Sequence, residues 1–346
     1  MTRRFRLTAV LAGWVLLVAT AAADQKVTFA TFNCEFLTRP KVHMKFGERF
    51  NLARDRKNVW NQPGYRDKKF HEAAEAVARF IVKIDADVIG LEEVGDERDV
   101  GELHEAVRAA GLDYPYWVAG KSLDPVTHQN VALFSRYKLS ELLSPIPGLE
   151  AYDTELDDPD AERWTELTKG LRVAVHGPGQ TFYVYVLHLK SERGGHESDA
   201  RRIAQASIVR RNYLPLLAAG KNVIVMGDLN DGRNQPAIRR IRGRDDIQPD
   251  LIQTGRADYF DFDKLDTRWT YEYMGVRGQI DHILLSTSFK HICKRIHART
   301  MEQHDPRVSD HRPFIVDLNL RAAAPGAARP AARPPVIHAA HPAGKH

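Results

Sequence analysis

Hydrophobic residues recur along this chain with two periods. Residues 26–35 (KVTFATFNCE) alternate, with Val27, Phe29 and Thr31 on one face, which predicts a strand. Over residues 68–83 the apolar positions Phe70, Ala73, Ala74, Val77 and Ile81 recur at three and four, and Ile84 continues them, which predicts a helix. Residues 87–94 (DVIGLEEV) read as a buried strand ending in acids, and residues 100–110 as a helix that Gly111 closes. Strands follow at 130–135 (NVALFS), 171–176 and 181–189 (TFYVYVLHL). The last is apolar on both faces, so it belongs inside a sheet covered on both sides. A long helix at 197–218, a strand at 222–226 and two strands at 279–286 and 313–318 complete the regular elements. Three long segments lack either period: a basic one at 39–67, an acidic one at 150–169 and a mixed one at 242–267. Long loops on a rigid scaffold commonly shape a binding site.

The two ends change how charge is read. Arg3, Arg4 and Arg6 precede an apolar run closed by Ala21, Ala22 and Ala23, the pattern of a secretory leader at 1–23 rather than of a membrane anchor. Residues 321–346 are Ala, Pro, Gly, Arg and His without apolar periodicity, a composition expected to stay disordered. Together the ends hold seven of the 50 basic residues and no acid, leaving 43 basic against 45 acidic residues in 24–320. The net charge of +5 therefore becomes −2 for the expected domain, and overall basicity does not argue for a nucleic-acid-binding core. Export to a periplasm or out of the cell permits a disulfide between Cys34 and Cys293, but two buried free thiols on separate strands are the expectation. No stable membrane anchor is expected, and the protein is read as a monomer.

Candidate chemistry lies where polar groups end apolar strands. Asn33 ends the first strand, Glu92 and Glu93 the next, His188 ends VYVLHL, and Asp228 and Asn230 end VIVMGDLN. Asp281 and His282 interrupt QIDHILL, and Ser309, Asp310 and His311 precede the last strand. Singly, each has a bland account: a strand cap, a solvated acid, a turn. Jointly they do not, because charge at the ends of apolar strands is costly unless paired or ligating. Carboxylates and amides are hard oxygen ligands suited to Mg²⁺, Mn²⁺ or Ca²⁺. An imidazole paired with a carboxylate can move a proton, so the set describes hydrolysis of a phosphate ester. His282 should point away from Asp281, its neighbour along the strand.

At these motifs the chain resembles the endonuclease/exonuclease/phosphatase superfamily, which includes pancreatic-type deoxyribonucleases, abasic-site endonucleases, sphingomyelinases and inositol-polyphosphate phosphatases. TFNCE, IGLEEV, VLHLKS, GDLND, QIDHIL and SDHRP occur in the family's order between residues 26 and 320. The resemblance implies an α/β fold: a four-layer α/β/β/α sandwich of two mostly antiparallel sheets. It implies Glu93 as principal metal ligand with Asn33 beside it, and Asp310 supporting that metal or a second. It implies that Asp228 orients or activates the nucleophile, Asn230 binds the scissile phosphate, Asp281 orients the acid/base His311, and His188 is a second histidine on the phosphate. Arg172 and Lys190 are candidate substrate-binding cations. Two departures stand out. Glu92 occupies a position that is often Gln, and a Tyr common in abasic-site enzymes is replaced near His128 and Asn130.

The leading expectation is an exported, metal-dependent phosphodiesterase acting on nucleic acid. A second keeps the superfamily and changes the substrate to a phospholipid head group or a phosphomonoester. A third is an inactive binding module, which predicts substitutions among the core polar residues that the sequence does not show.

Overall fold

The computed structural model describes residues 25–48, 58–153, 163–243 and 249–322. The leader expected at 1–23 and nearly all of the expected tail lie outside the described residues. In chain order the elements are β1 (Gln25–Leu37), α1 (Val42–Lys45), α2 (Tyr65–Ile84), β2 (Val88–Val94), α3 (Glu97–Ala109), β3 (Tyr116–Ala119), β4 (Asn130–Ser135) and β5 (Leu139–Leu143). Then come β6 (Leu149–Tyr152), β7 (Arg163–Glu166), β8 (Gly170–Gly177), β9 (Gln180–His188), α4 (Gly195–Ala218), β10 (Asn222–Asp228) and α5 (Pro236–Arg242). The last are β11 (Leu251–Gln253), β12 (Tyr271–Tyr273), β13 (Val276–Gly278), β14 (Asp281–Ser286), α6 (Phe289–Ile292), β15 (Cys293–Thr300) and β16 (Phe314–Leu320).

The strands form two six-stranded sheets and two small ribbons. One sheet runs β15-β16-β1-β2-β4-β3, the other β11-β14-β10-β9-β8-β5, and β6–β7 and β12–β13 pair by themselves. Each large sheet has one parallel pair, β1 with β2 and β9 with β10. The other neighbours run antiparallel, as the mostly antiparallel sandwich requires.

Strand alternation assigns each side chain to a layer. Val27 and Phe29 of β1, Val184 and Val186 of β9, Ile224 and Met226 of β10 and Ile283 and Leu285 of β14 share one core between the sheets. The intervening residues face outward. Ala30, Phe32, Ile89 and Leu91 pack under α2 and α3, while Tyr185, Leu187, Val223, Val225 and Leu284 pack under α4 and α5. That is the expected four-layer α/β/β/α sandwich. Burying each such Val, Leu, Ile or Phe contributes roughly 1.5–3 kcal/mol, so the layers hold one another in register. At Gly90 the sheets approach so closely that a Cβ would lie 2.9 Å from Met226 Cε.

Several predicted elements extend or shift by a few residues. The helix expected to begin at 100 starts at Glu97, because Asp96 caps it by accepting the Asp99 N–H at 3.1 Å. Cys34 and Cys293 are buried free thiols on β1 and β15, in different cores, as expected. Among the described residues no helix is long and apolar enough to cross a membrane.

Candidate active site

The inward face that begins as apolar core turns polar at one rim of the sandwich. On β1, the face carrying Val27 and Phe29 continues through Thr31 to Asn33. On β2 it runs from Val88 through Gly90 to Glu92, on β9 through Val186 to His188, and on β10 through Met226 to Asp228. These four strands end at this rim, and the antiparallel β14 begins there with Asp281 inward. His188, Asp228 and Asp281 lie side by side through the β9–β10 and β10–β14 pairing. The segment before β16 adds His311.

Two backbone irregularities aim the acids. Glu92 and Glu93 are neighbours on β2, so a regular strand would send them to opposite faces. Glu93 instead adopts a left-handed conformation (φ 56°), and the β1–β2 and β2–β4 registers slip around it. Its carboxylate thereby reaches the rim while Glu92 stays fully buried, accepting the Thr31 hydroxyl at 2.7 Å. In β10, Gly227 has φ 139°, where a Cβ would sit 1.9 Å from the Leu187 carbonyl oxygen, so only glycine fits the turn that precedes Asp228.

The groups converge closely. Asn33 Nδ2 donates to Asp228 Oδ2 at 2.9 Å and to Glu93 Oε1 at 3.3 Å. His188 Nε2 lies 3.7 Å from both Glu93 Oε1 and Asp228 Oδ2. His311 Nδ1 is bonded to Asp281 Oδ2 at 2.8 Å, which turns Nε2 toward Asp228 Oδ2 at 3.8 Å. Asn230, also left-handed (φ 50°), donates its backbone N–H to Asp228 Oδ1 at 2.9 Å. Glu93 Oε2 accepts the Phe36 N–H at 2.9 Å and Gln129 Nε2 at 2.6 Å, and Gln129 Oε1 accepts the buried Lys169 ammonium at 2.9 Å.

These contacts set the protonation states. Burial opposes charge on His311, but Asp281, bonded to it, and Asp228 and Asp310 overcome that and hold its pKa well above the ordinary histidine range. Burial, with the positive charge of Lys169 and His311, drives His188 well below that range, so it is neutral. Burial and the Asp281 charge raise Asp228 to about 7, against the pull of His311. Burial, with Asp281 and Asp228 nearby, raises Glu92 far above the carboxylate range.

The donor set fits a hard divalent cation. Glu93, His188 and Asp228 offer two carboxylate oxygens and an imidazole nitrogen within 4.8 Å of one another; Asp228, Asp281 and His311 form a second such group. His188 Nδ1 and Asp281 Oδ1 are buried without a hydrogen-bond partner, and the carboxylates outnumber the cations that face them.

The expected site residues divide. Glu93, His188, Asp228, Asn230, Asp281, His311 and Asn33 come together. Two expected metal ligands stand outside the two converging groups. Asn33 presents its NH₂ group to the carboxylates, and its oxygen accepts the Glu35 N–H at 2.9 Å. Asp310 belongs to neither converging group; its side chain is 42% exposed and its Oδ1 lies 4.0 Å from His311 Nε2. Asn230 directs an amide hydrogen to the Leu189 carbonyl at 3.1 Å. Arg172 is not at the rim: it shares the outer face of β8 with Ala174, opposite Tyr185 under α4, because Leu171 and Val173 take the inward positions. Lys190 stands at the edge, half-buried beyond His188, with its N–H bonded to Gln205 Oε1 at 2.8 Å. His282 faces outward as expected, with Nε2 bonded to the Asp231 carbonyl at 2.9 Å. Lys169, Gln129 and Tyr271, whose ring lies 4.7 Å from that of His311, were missed, since each sits in a stretch that reads as loop.

Comparison with known proteins agrees with this architecture. Residues 30–311 match the sequence model of the Endonuclease/Exonuclease/phosphatase family. No curated protein matches the sequence. Among solved structures, truncated TDP2 from Caenorhabditis elegans is similar with a TM-score of 0.51 at 13% identity, over 85% of this chain and 98% of that one. An endonuclease/exonuclease/phosphatase family protein from Bacteroides thetaiotaomicron gives 0.53 at 16% identity, over 86% and 98%. A beta toxin from Staphylococcus aureus gives 0.50 at 14% identity, over 84% and 99%. At such identities the likeness establishes the shared fold.

Proposed function

This chain belongs to the endonuclease/exonuclease/phosphatase family and is a hydrolase of phosphate-ester bonds, and from that premise we propose that it is an exported nuclease that cleaves phosphodiester bonds with a water nucleophile. The observation that carries this is the convergence of a neutral imidazole, a charged imidazole and two further acidic side chains around Asp228 at the end of an apolar core. Export rests on the leader pattern at 1–23.

In this reading Glu93, Asp228 and His188 would hold a divalent cation, Mg²⁺ or Mn²⁺, which would supply positive charge to offset that developing on the phosphoryl oxygens. Asp228 positions the attacking water and receives its proton. The Asn33 NH₂ and the Asn230 N–H fix that carboxylate from two sides. His311, protonated and oriented by Asp281, donates from Nε2 to the phosphate. Lys169, through Gln129, keeps Glu93 Oε2 occupied and leaves Oε1 facing His188.

The test is a cleavage assay on single- and double-stranded nucleic acid and on bis-p-nitrophenyl phosphate, with Mg²⁺ or Mn²⁺, with EDTA, and with Glu93→Gln. Nucleic-acid cleavage that EDTA abolishes and that falls at least about 100-fold in Glu93→Gln is expected. Turnover of the small diester alone would move the substrate to the lipid or small-molecule class. Metal-independent turnover would overturn the mechanism.

A further inference from the structure

The ribbon β12–β13 has no part in the chemistry above, yet it is built onto the active site. Tyr271 forms an isolated backbone bridge with His311, so the base of the ribbon is fixed to the segment carrying the acid. Met274 and Gly275 turn it with left-handed backbone at both positions (φ 48° and 79°), the conformation of a tight two-residue hairpin. Tyr271 and Tyr273, two residues apart on one strand, face the same way. Gly278 pairs with Tyr271 and leaves that ring's neighbouring position on the ribbon open.

The result is a row of flat groups leading out from the catalytic imidazole. The rings of His311 and Tyr271 lie 4.7 Å apart, and those of Tyr271 and Tyr273 lie 6.4 Å apart and within 4° of parallel. The Arg193 guanidinium stands over the Tyr273 ring, 5.2 Å from its centre, and its charge acts on the Tyr271 hydroxyl. Tyr273 is 53% exposed. Arg193 and Lys190 both come from the β9–α4 connection, so cations border the row where it leaves the site.

We propose that Tyr271, Tyr273 and Arg193 form a stacking subsite for a nucleobase next to the scissile phosphate, and that the preferred substrate is therefore single-stranded nucleic acid. The inference rests on the nuclease reading. A base inside a duplex has both faces covered, whereas an unpaired base offers its π-face to tyrosine and to a guanidinium plane. The alternative occupant is a lipid surface, which the exposed Met274 and Val276 at the hairpin tip would suit. The order of the rings favours the base: they run back to His311, and Arg193 lies over the Tyr273 ring, whereas an anchor would gather its aromatic and basic groups at the tip.

The experiment compares kcat and KM of the full chain and its Tyr273→Ala and Tyr273→Phe variants on a single-stranded oligodeoxynucleotide and on an abasic strand of equal length, built of tetrahydrofuran units. Wild type should prefer the strand with bases by about tenfold, mainly through KM, Tyr273→Phe should keep that preference, and Tyr273→Ala should lose it. A preference that survives in Tyr273→Ala overturns the subsite while leaving the nuclease intact. Failure of all three proteins to cleave or bind either strand, with bis-p-nitrophenyl phosphate still turned over, removes the nuclease reading and the subsite with it. Cleavage of sphingomyelin vesicles that Tyr273→Ala impairs would assign the ribbon to lipid and overturn the proposal.

Discussion

Replacing Asp281 by Asn tests whether the His311 pair does chemistry or merely fills space. The two side chains are nearly the same size, and Asp281 is 1% exposed, so the change removes a charge without opening a cavity. In the native protein the carboxylate accepts from His311 Nδ1–H at 2.8 Å and favours the imidazolium, in which Nε2 is also a donor. A hydrogen bond to a charged group is worth roughly 1.5–3 kcal/mol, and each 1.36 kcal/mol is a factor of ten, so loss of this bond alone costs about 10- to 150-fold. If the introduced amide turned its NH₂ toward Nδ1, it would hold the ring neutral with its hydrogen on Nε2, and loss of the charged donor would approach the roughly 10²–10⁴-fold typical of a missing general acid. The charge of Asp281 helps hold His311 protonated, so its removal lowers the His311 pKa. The alkaline limb of the kcat/KM profile should therefore move to lower pH. The assay is a pH–rate profile on a phosphodiester for both proteins, with thermal unfolding as the control for folding. An unchanged alkaline limb together with a rate loss below about fivefold would refute the assignment of His311 as the protonated donor.

Two further predictions concern stability. Burial lowers the pKa of His282 from 6.5 to about 4 against the pull of its bond to Asp231, so below pH 6.5 the unfolded chain takes up a proton that the folded one refuses. Its contribution is complete above pH 6.5 and disappears as pH falls through 4, at a cost of about 3 kcal/mol. Glu35 and Asp228, both raised to about 7, act in the opposite sense, favouring the folded state at low pH and losing that effect as pH rises to 7. The comparison that isolates His282 is the urea midpoint of wild type minus that of His282→Gln, which should shrink between pH 7 and pH 4.5; a constant difference would show that the histidine is protonated in the folded state. Gly227→Ala places a Cβ 1.9 Å from the Leu187 oxygen at φ 139°, so it should cost at least roughly 3 kcal/mol and lower the melting temperature by several degrees, and an unchanged melting temperature would mean that the turn before Asp228 is not held as described.

Much of this was legible because the fold and the site share one pattern. The alternation that puts Val27 and Phe29 in the inter-sheet core puts Asn33 at its rim, and the same count places His188, Asp228 and Asp281. Asp281 is the clearest case, a carboxylate where the pattern calls for an apolar residue, and the structure gives it His311 as partner. The strands that escaped notice are short or at edges. β15 (CKRIHART) pairs only with β16 in its sheet, and its polar residues hide the alternation. The Tyr271–Glu272–Tyr273 alternation and the Met274–Gly275 turn were available in the sequence as signs of a hairpin, but three-residue strands fall below what periodicity resolves.

The rest was hidden because period alone cannot see a backbone that breaks it. Counting from Val88 and Gly90 brings Glu92 to the rim and turns Glu93 away; the left-handed residue at Glu93 sends that side chain to the site after all. Glu92, which the count places correctly, is the acid that stays sealed in the core against Thr31. The same limit misplaced Arg172, one residue from an inward position. Lys169 shows a second limit, because its ammonium is buried by Gln129, a residue 40 positions earlier that no local pattern connects to it. Strand alternation supplies a dry, close-packed inter-sheet face, and a dry face would by itself hold both histidines neutral and every carboxylate protonated. The irregular residues supply what alternation cannot: Glu93 swings a third acid to the rim, Gly227 and Asn230 fix the Asp228 carboxylate, and Lys169 balances charge from behind. Two histidines in one buried site are thereby driven in opposite directions, His188 toward the neutral form beside Glu93 and Asp228 and His311 toward the charged form beside Asp281, and in the proposed function it is that difference which would let a single rim bind a cation and donate a proton.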